Sequence, residues 1–250
     1  MEYVLLSKTN CMVSRTALST DSLENYPLED GVALMRKAYD GGVNFYHSSS
    51  QHKEILGYAF HGMRKEVFIS IESLASDSLT LQQEIIATLD SLNSSYIDVF
   101  SVQNNNFVPK KDSTDGLYTA LLAAKADENV KSIGFSTKKF DLAKEALESK
   151  LYDVIFLETS IKSLDIKETI NFIKNCKNND IGLVINYEIP VSEELEFPLV
   201  FGFLRKSENL IPMWKIKNQE DLQQVLYFES NPPEFTDKDL EEIEKKQDSN

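Results

Sequence analysis

At 250 residues, with 42% hydrophobic and 26% charged side chains, the chain has the composition of a folded globular protein and the length to enclose one large core. Its 40 acidic residues against 26 basic ones give a net charge of -14, which repels phosphate backbones and anionic membrane surfaces and argues against nucleic acid or a membrane as partner. No sustained apolar run is long enough to span a bilayer, and the first residues lack a basic segment followed by an apolar stretch, so a cytoplasmic location is expected. Cys11 and Cys176 are far apart and follow no metal-ligand spacing, so they read as reduced thiols of an intracellular protein, with no metal site.

In chain order, alternating character at 3–6 and 10–13 predicts a hairpin ahead of the main fold. A weak strand at 16–19 follows, then a helix at 28–40, where Val32, Met35 and Tyr39 fall on one face. Strands are predicted at 43–46, 67–71, 97–102, 132–135, 154–157 and 182–185, and another near 209–211. Helices are predicted between them at 79–92, with Ile85, Ile86, Leu89 and Leu92 facing inward, and at 115–129, 141–149 and 165–178, each opened by an aspartate suited to a cap or first turn. A charged helix at 235–246 closes the chain.

Short apolar runs alternating with amphipathic ones about every thirty residues are the βα rhythm of a parallel sheet. Eight such strands close a barrel, so the expected fold is a (β/α)8 barrel with an N-terminal β-hairpin and a C-terminal helix, forming one domain over residues 1–250.

Several segments carry a resemblance to a known family. MEYVLLSKTNCMVSRTALST at the start is similar to the aldo-keto reductase entrance, a hairpin followed by VSR and a Gly-x-Gly-Thr turn. GVNFYHSSS resembles the strand G-I-N-F-x-D-T-A, YIDVFSVQNNN resembles Y-I-D-L-x-x-x-H, and SIGFSTKKFDLAKEAL resembles I-G-I-S-N with its following helix. LYDVIFLE and NLIPMWKIKNQEDLQQVL match later strands in order, so the resemblance covers nearly the whole chain. It implies an NADP-dependent oxidoreductase that reduces aldehydes and ketones. In that chemistry a tyrosine acidified by a lysine, itself held by an aspartate, protonates the carbonyl as nicotinamide delivers hydride, and a histidine orients the substrate.

The four positions that the resemblance assigns to this tetrad hold other residues. His47 stands for the aspartate, Glu72 for the lysine and Gln103 for the histidine; the loop after His47 is shorter than the family's, leaving His52 nearest the tyrosine position. Tyr46 lies one residue before His47 on the same strand, so alternation turns its ring away from the barrel axis. Without a neighbouring ammonium, a tyrosine is too weak an acid for the reaction. The cofactor positions are also altered. Ala17 and Ser19 replace two glycines of the entrance turn, Phe156 replaces a glutamine, and Ser136 and Thr137 stand where the carboxamide would be held. Ile211-Pro212-Met213 replaces I-P-G, with Trp214, Lys215 and Lys217 after it, the two lysines within reach of a 2′-phosphate. NADPH therefore stays a possible cofactor rather than an implied one.

His47 and Glu72 keep opposite charges with the polarity of the family's pair reversed, and adjacent strand ends predict a hydrogen bond between them. One reading is a structural pair filling a former active site; the other is a general base or metal-binding dyad with His52. His61 reads as a solvated helix end, Asn104-Asn105-Asn106 as a turn, and Trp214 as a core or rim aromatic. Three functions follow: a binding or regulatory protein without reductase activity, acting on an unknown protein partner or small molecule; a nicotinamide-dependent oxidoreductase with an altered site; and a cofactor-independent enzyme using His47, Glu72 and His52.

Overall fold

The computed structural model describes residues 1–159, 166–188, 196–207, 209–236 and 238–241. Strands β1 (Tyr3–Leu5) and β2 (Met12–Ser14) pair antiparallel, with Val4 opposite Val13. Eight parallel strands follow: β3 (Ala17–Ser19), β4 (Phe45–Ser49), β5 (Phe68–Ser73), β6 (Ile97–Gln103), β7 (Val130–Thr137), β8 (Val154–Glu158), β9 (Gly182–Glu188) and β10 (Leu210–Lys215). They form a closed barrel in which β10 pairs with both β9 and β3. The expected barrel and hairpin are both present.

Eight helices lie outside the strands among the described residues: α1 (Leu28–Asp40), α2 (Glu54–Ala59), α3 (Ser78–Ser91), α4 (Leu117–Ala126), α5 (Phe140–Ser149), α6 (Ile166–Asn178), α7 (Glu196–Lys206) and α8 (Gln219–Ser230). Their ends have local causes. Asp77 caps α3 by accepting hydrogen bonds from the Leu79 and Thr80 N–H groups, each at 3.0 Å, and Asn218 caps α8 through the Asp221 N–H. Helix α2 ends just before His61, in keeping with the reading of His61 as a helix end, while no bounds were predicted for α2, α7 or α8. Of the charged C-terminal helix expected at 235–246, residues 238–241 are helical, and 237 and 242–246 lie outside the described residues.

Alternation along each strand divides the core into two parts. Outward-facing residues pack under the helices, where Trp214, wholly buried, stacks on Phe201 at 5.6 Å and meets Phe197 at 4.9 Å. Trp214 is thus a core residue. Tyr46 also faces outward: its hydroxyl donates to the Val43 carbonyl at 2.7 Å and its ring packs on Phe60. On α3 the inward stripe is Leu81, Ile85 and Thr88, whereas Ile86 is 60% exposed. Ile86 follows Ile85 by one residue and therefore a rotation of about 100°, which carries it off the buried face.

Inside the barrel, Ala17, Phe45, Phe68, Val99, Val154, Val184 and Ile211 form a separate apolar filling, and Leu6 and Val13 of the hairpin plug it from the bottom. The plug depends on Gly182, where a Cβ would come within 2.8 Å of Leu6 Cδ1. A network fixes the hairpin to the outer helices. Thr16 Oγ1 donates to buried Glu229 at 2.5 Å, Arg205 meets the same carboxylate at 2.6 Å, and Arg15 donates to the Arg205 carbonyl. With the bottom sealed, the polar inward side chains collect at the C-terminal ends of the strands.

Candidate active site

Strand register arranges the inward side chains at the mouth. His47 lies opposite Ser70, and Ser49 opposite Glu72; Gln103 lies opposite Ser136, and Glu158 opposite Asn186. Glu72 is therefore one inward layer above His47.

His47 is buried at the lower level. Its Nδ1 shares a 2.8 Å hydrogen bond with Ser70 Oγ, its ring stacks on Phe156 at 5.5 Å between centroids, and its Nε2 lies 4.0 Å from Asp21 Oδ2. Phe156 reaches this position because residue 134 is glycine; a Cβ there would come within 3.0 Å of Phe156 Cε2. Burial pushes the imidazole pKa down, assisted by the charge of Lys215 and opposed by Asp21 and Glu158.

Glu72 accepts a hydrogen bond from Gln103 Nε2 at 3.2 Å and another from the Ser136 hydroxyl. Burial pushes its carboxyl up to about 7, a rise reinforced by Asp21 and Glu158 and opposed by Ser136 and Lys215. The expected hydrogen bond between His47 and Glu72 is not formed. The two-residue offset in register gives His47 a serine partner and Glu72 a glutamine and a serine, and burial moves both pKa values the opposite way from an ion pair.

His52 is not gathered with them. It lies on the loop after β4, with Nε2 3.4 Å from Glu24 Oε2 and its side chain 35% exposed. His61 is exposed beside Gly62. Asn104 closes a turn by accepting from the Asn106 and Phe107 N–H groups, while Asn105 accepts from Thr137 Oγ1 and the Lys138 N–H.

Sequence reading missed Asp21, Lys138, Glu158 and Asn186. Lys215 and Lys138 donate to Glu158 Oε1 at 2.9 and 3.1 Å. Burial alone would raise the Glu158 pKa, but the bonds and charges of the two ammonium groups outweigh it and hold the carboxyl below its ordinary value. Glu158 was legible in principle, two residues beyond inward-facing Phe156. Asp21 was not, because it follows the end of β3 in a short 3₁₀ turn. Asn186 is buried, with an Oδ1 that has no hydrogen-bond partner among the described residues.

Three of the four side chains assigned to NADPH have partners within the protein. Ser136 is bonded to Glu72, Thr137 to Asn105, and Lys215 to Glu158. Lys217 lies past β10, where its backbone N–H donates to Asp221 Oδ2 at 2.7 Å. The N-terminus of α8, the end of a helix that attracts a phosphate, carries Glu220 and Asp221 in its first turn and is closed by Asn218. An anion there would meet two carboxylates. Among the described residues, no group of three or more His, Cys, Asp and Glu side chains is placed to hold a metal ion, and no helix is long and apolar enough to cross a membrane. Both cysteines are free, with Cys176 buried.

An eight-stranded parallel barrel with its polar residues at the C-terminal strand ends defines a protein of the (β/α)8 class. The model of the Aldo/keto reductase family matches residues 16–195, and the chain belongs to that family. It has no match among curated proteins. Among solved structures it resembles an aldo-keto reductase from Bacillus halodurans in its holo form, at TM-score 0.80 and 14% identity over 98% of this chain and 96% of that one. It also resembles a thermostable aldo-keto reductase complexed with the inhibitor epalrestat, at TM-score 0.78 and 16% identity over 98% and 100% of the two chains. At these identities the likeness concerns the fold.

Proposed function

We propose that this aldo-keto reductase family member does not reduce carbonyl compounds and instead has a binding or regulatory role centred on its mouth. The observation that carries this reading is the bonding of the four tetrad positions. His47 is buried against Ser70 and Phe156, Glu72 is held by Gln103 and Ser136, and His52 lies apart beside Glu24. None supplies a phenol beside an ammonium. Tyr46, the nearest tyrosine in sequence, faces the helices, and burial raises its pKa well above the ordinary value. Among the described residues the inward lysine near the site, Lys215, is paired with Glu158.

The test is hydride transfer from NADPH and NADH to a panel of aromatic and aliphatic aldehydes, followed by nicotinamide absorbance. No turnover above the uncatalysed rate is expected. Turnover abolished by Glu72→Ala would replace this reading with an oxidoreductase of altered mechanism. The cofactor-independent triad of His47, Glu72 and His52 has less support, because His52 is not joined to the other two by any contact among the described residues.

A further inference from the structure

The charge at the mouth is incompletely matched. Glu158 has two ammonium partners, Lys215 and Lys138. Asp21 accepts a hydrogen bond from the Ser49 N–H, and its closest cation candidate is His47, at 4.0 Å and kept neutral by burial. Glu72 is bonded only by a neutral amide and a neutral hydroxyl. Among the described residues neither Asp21 nor Glu72 is ion-paired with a lysine or arginine; the charge of Lys215 acts on Glu72 without a direct bond, and Asp21 is near enough to raise the Glu72 pKa.

Asn186 is an independent sign that a donor is missing. It is 6% exposed and occupies an inward position between Glu158 and Met213, yet its Oδ1 has no partner among the described residues. A buried carbonyl oxygen without a donor keeps its desolvation cost uncompensated, so a ligand bringing one gains free energy there. Solvent reaches the cluster: the side chains of Asp21 and Glu158 are 24% and 25% exposed.

We propose that the barrel mouth binds a small organic primary ammonium compound, its charged head placed among Asp21, Glu72 and the Asn186 carbonyl oxygen. This deepens the reading of the mouth as a binding site. A primary ammonium has three N–H donors and one positive charge, matching three acceptors of which two are acidic. An anionic ligand would find both nearby lysines already bonded to Glu158.

Binding should ionise Glu72 and expel its proton. The titratable groups facing Glu72 are Asp21 from the turn after β3, Glu158 of β8 and Lys215 of β10, with His47 of β4 one layer below and Lys138 beyond Glu158. With the Glu72 carboxyl near 7, affinity should rise roughly tenfold or more from pH 5.5 to 8 as this proton is lost.

Isothermal titration calorimetry of the whole protein with n-butylammonium chloride tests the proposal, with butanol and butyrate as probes of equal size. Saturable binding of the ammonium alone is expected, with release of about half a proton at pH 7, read from two buffers of different ionisation enthalpy. Glu72→Gln keeps the shape of the side chain and should abolish the proton release and weaken binding at least tenfold at pH 8. Asp21→Asn should also weaken binding at least tenfold, whereas Glu128→Gln, at an exposed position in the turn between α4 and β7, should not. Absence of saturable binding, equal binding of butanol or butyrate, or unchanged affinity in both Glu72→Gln and Asp21→Asn would overturn it. Aldehyde reduction is read independently by nicotinamide absorbance, so an active reductase that binds the ammonium overturns only the functional reading, and an inactive protein that does not bind it overturns only this inference.

Discussion

Gln103 Nε2 donates to Glu72 Oε1 at 3.2 Å, so two positions that the family resemblance assigns to catalysis are bonded to each other. A glutamine amide orients a carboxyl group without bringing a charge. Glu72 consequently carries the desolvation penalty of a carboxylate that the charge of Lys215 offsets only in part, and its pKa rises to about 7.

The folded protein therefore holds the Glu72 proton more tightly than the unfolded chain does. The carboxyl, at 4.5 when unperturbed and about 7 when folded, lowers stability progressively as pH rises between those values, and the loss is complete above about 8. Glu72→Gln removes that loss. We expect the variant to be more stable than the parent by about 2 kcal/mol at pH 8 and indistinguishable from it below pH 4.5, measured by urea denaturation across the range. Equal stability at pH 8 would show that Glu72 is ionised without strain.

His47 has the opposite dependence. Its pKa is lowered by burial, so the unfolded chain takes up the proton first, and stability falls as pH drops below the ordinary histidine value of 6.5. His47→Asn should flatten this acid-side loss, and Ser70→Ala should cost about 1 kcal/mol at pH 8 by removing the 2.8 Å hydrogen bond. In an NMR titration the His47 ring signals should stay in the neutral form at pH 6.5. A His47 midpoint above 6.5 would contradict the burial argument.

Glu72→Lys should not create a reductase. The substitution breaks the bonds from Gln103 and Ser136 and adds a cation facing Lys215, while no tyrosine is gained. We expect no hydride transfer to 4-nitrobenzaldehyde and a lower midpoint of thermal unfolding. Appreciable reduction by this single variant would mean that a proton donor had gone unrecognised.

Glu229 is the structural counterpart of the mouth at the barrel's bottom. Its side chain is 1% exposed and meets both Arg205 and Thr16. Removing one member of a buried ion pair strands the other, so Glu229→Ala should cost about 3–5 kcal/mol and lower Tm by about 10 °C. Calorimetry would measure this, and a loss under about 1 kcal/mol would show that Arg205 finds other partners.

The barrel was legible in the sequence because the βα rhythm is a local property. Period-two apolar runs such as 97–102 and period-3.6 runs such as 28–40 each mark their own element, and eight strands have few ways to close. The inward placement of His47, Glu72 and Gln103 on their strands was legible too, since alternation along a strand needs no coordinates. Partnership was not. His47 and Glu72 are 25 positions apart, and the register of β4 on β5 sets His47 opposite Ser70, two residues before Glu72. Burial then decided the charges: the same glutamate and histidine that pair in water are driven toward their neutral forms inside the barrel, a consequence of desolvation that only the assembled mouth imposes.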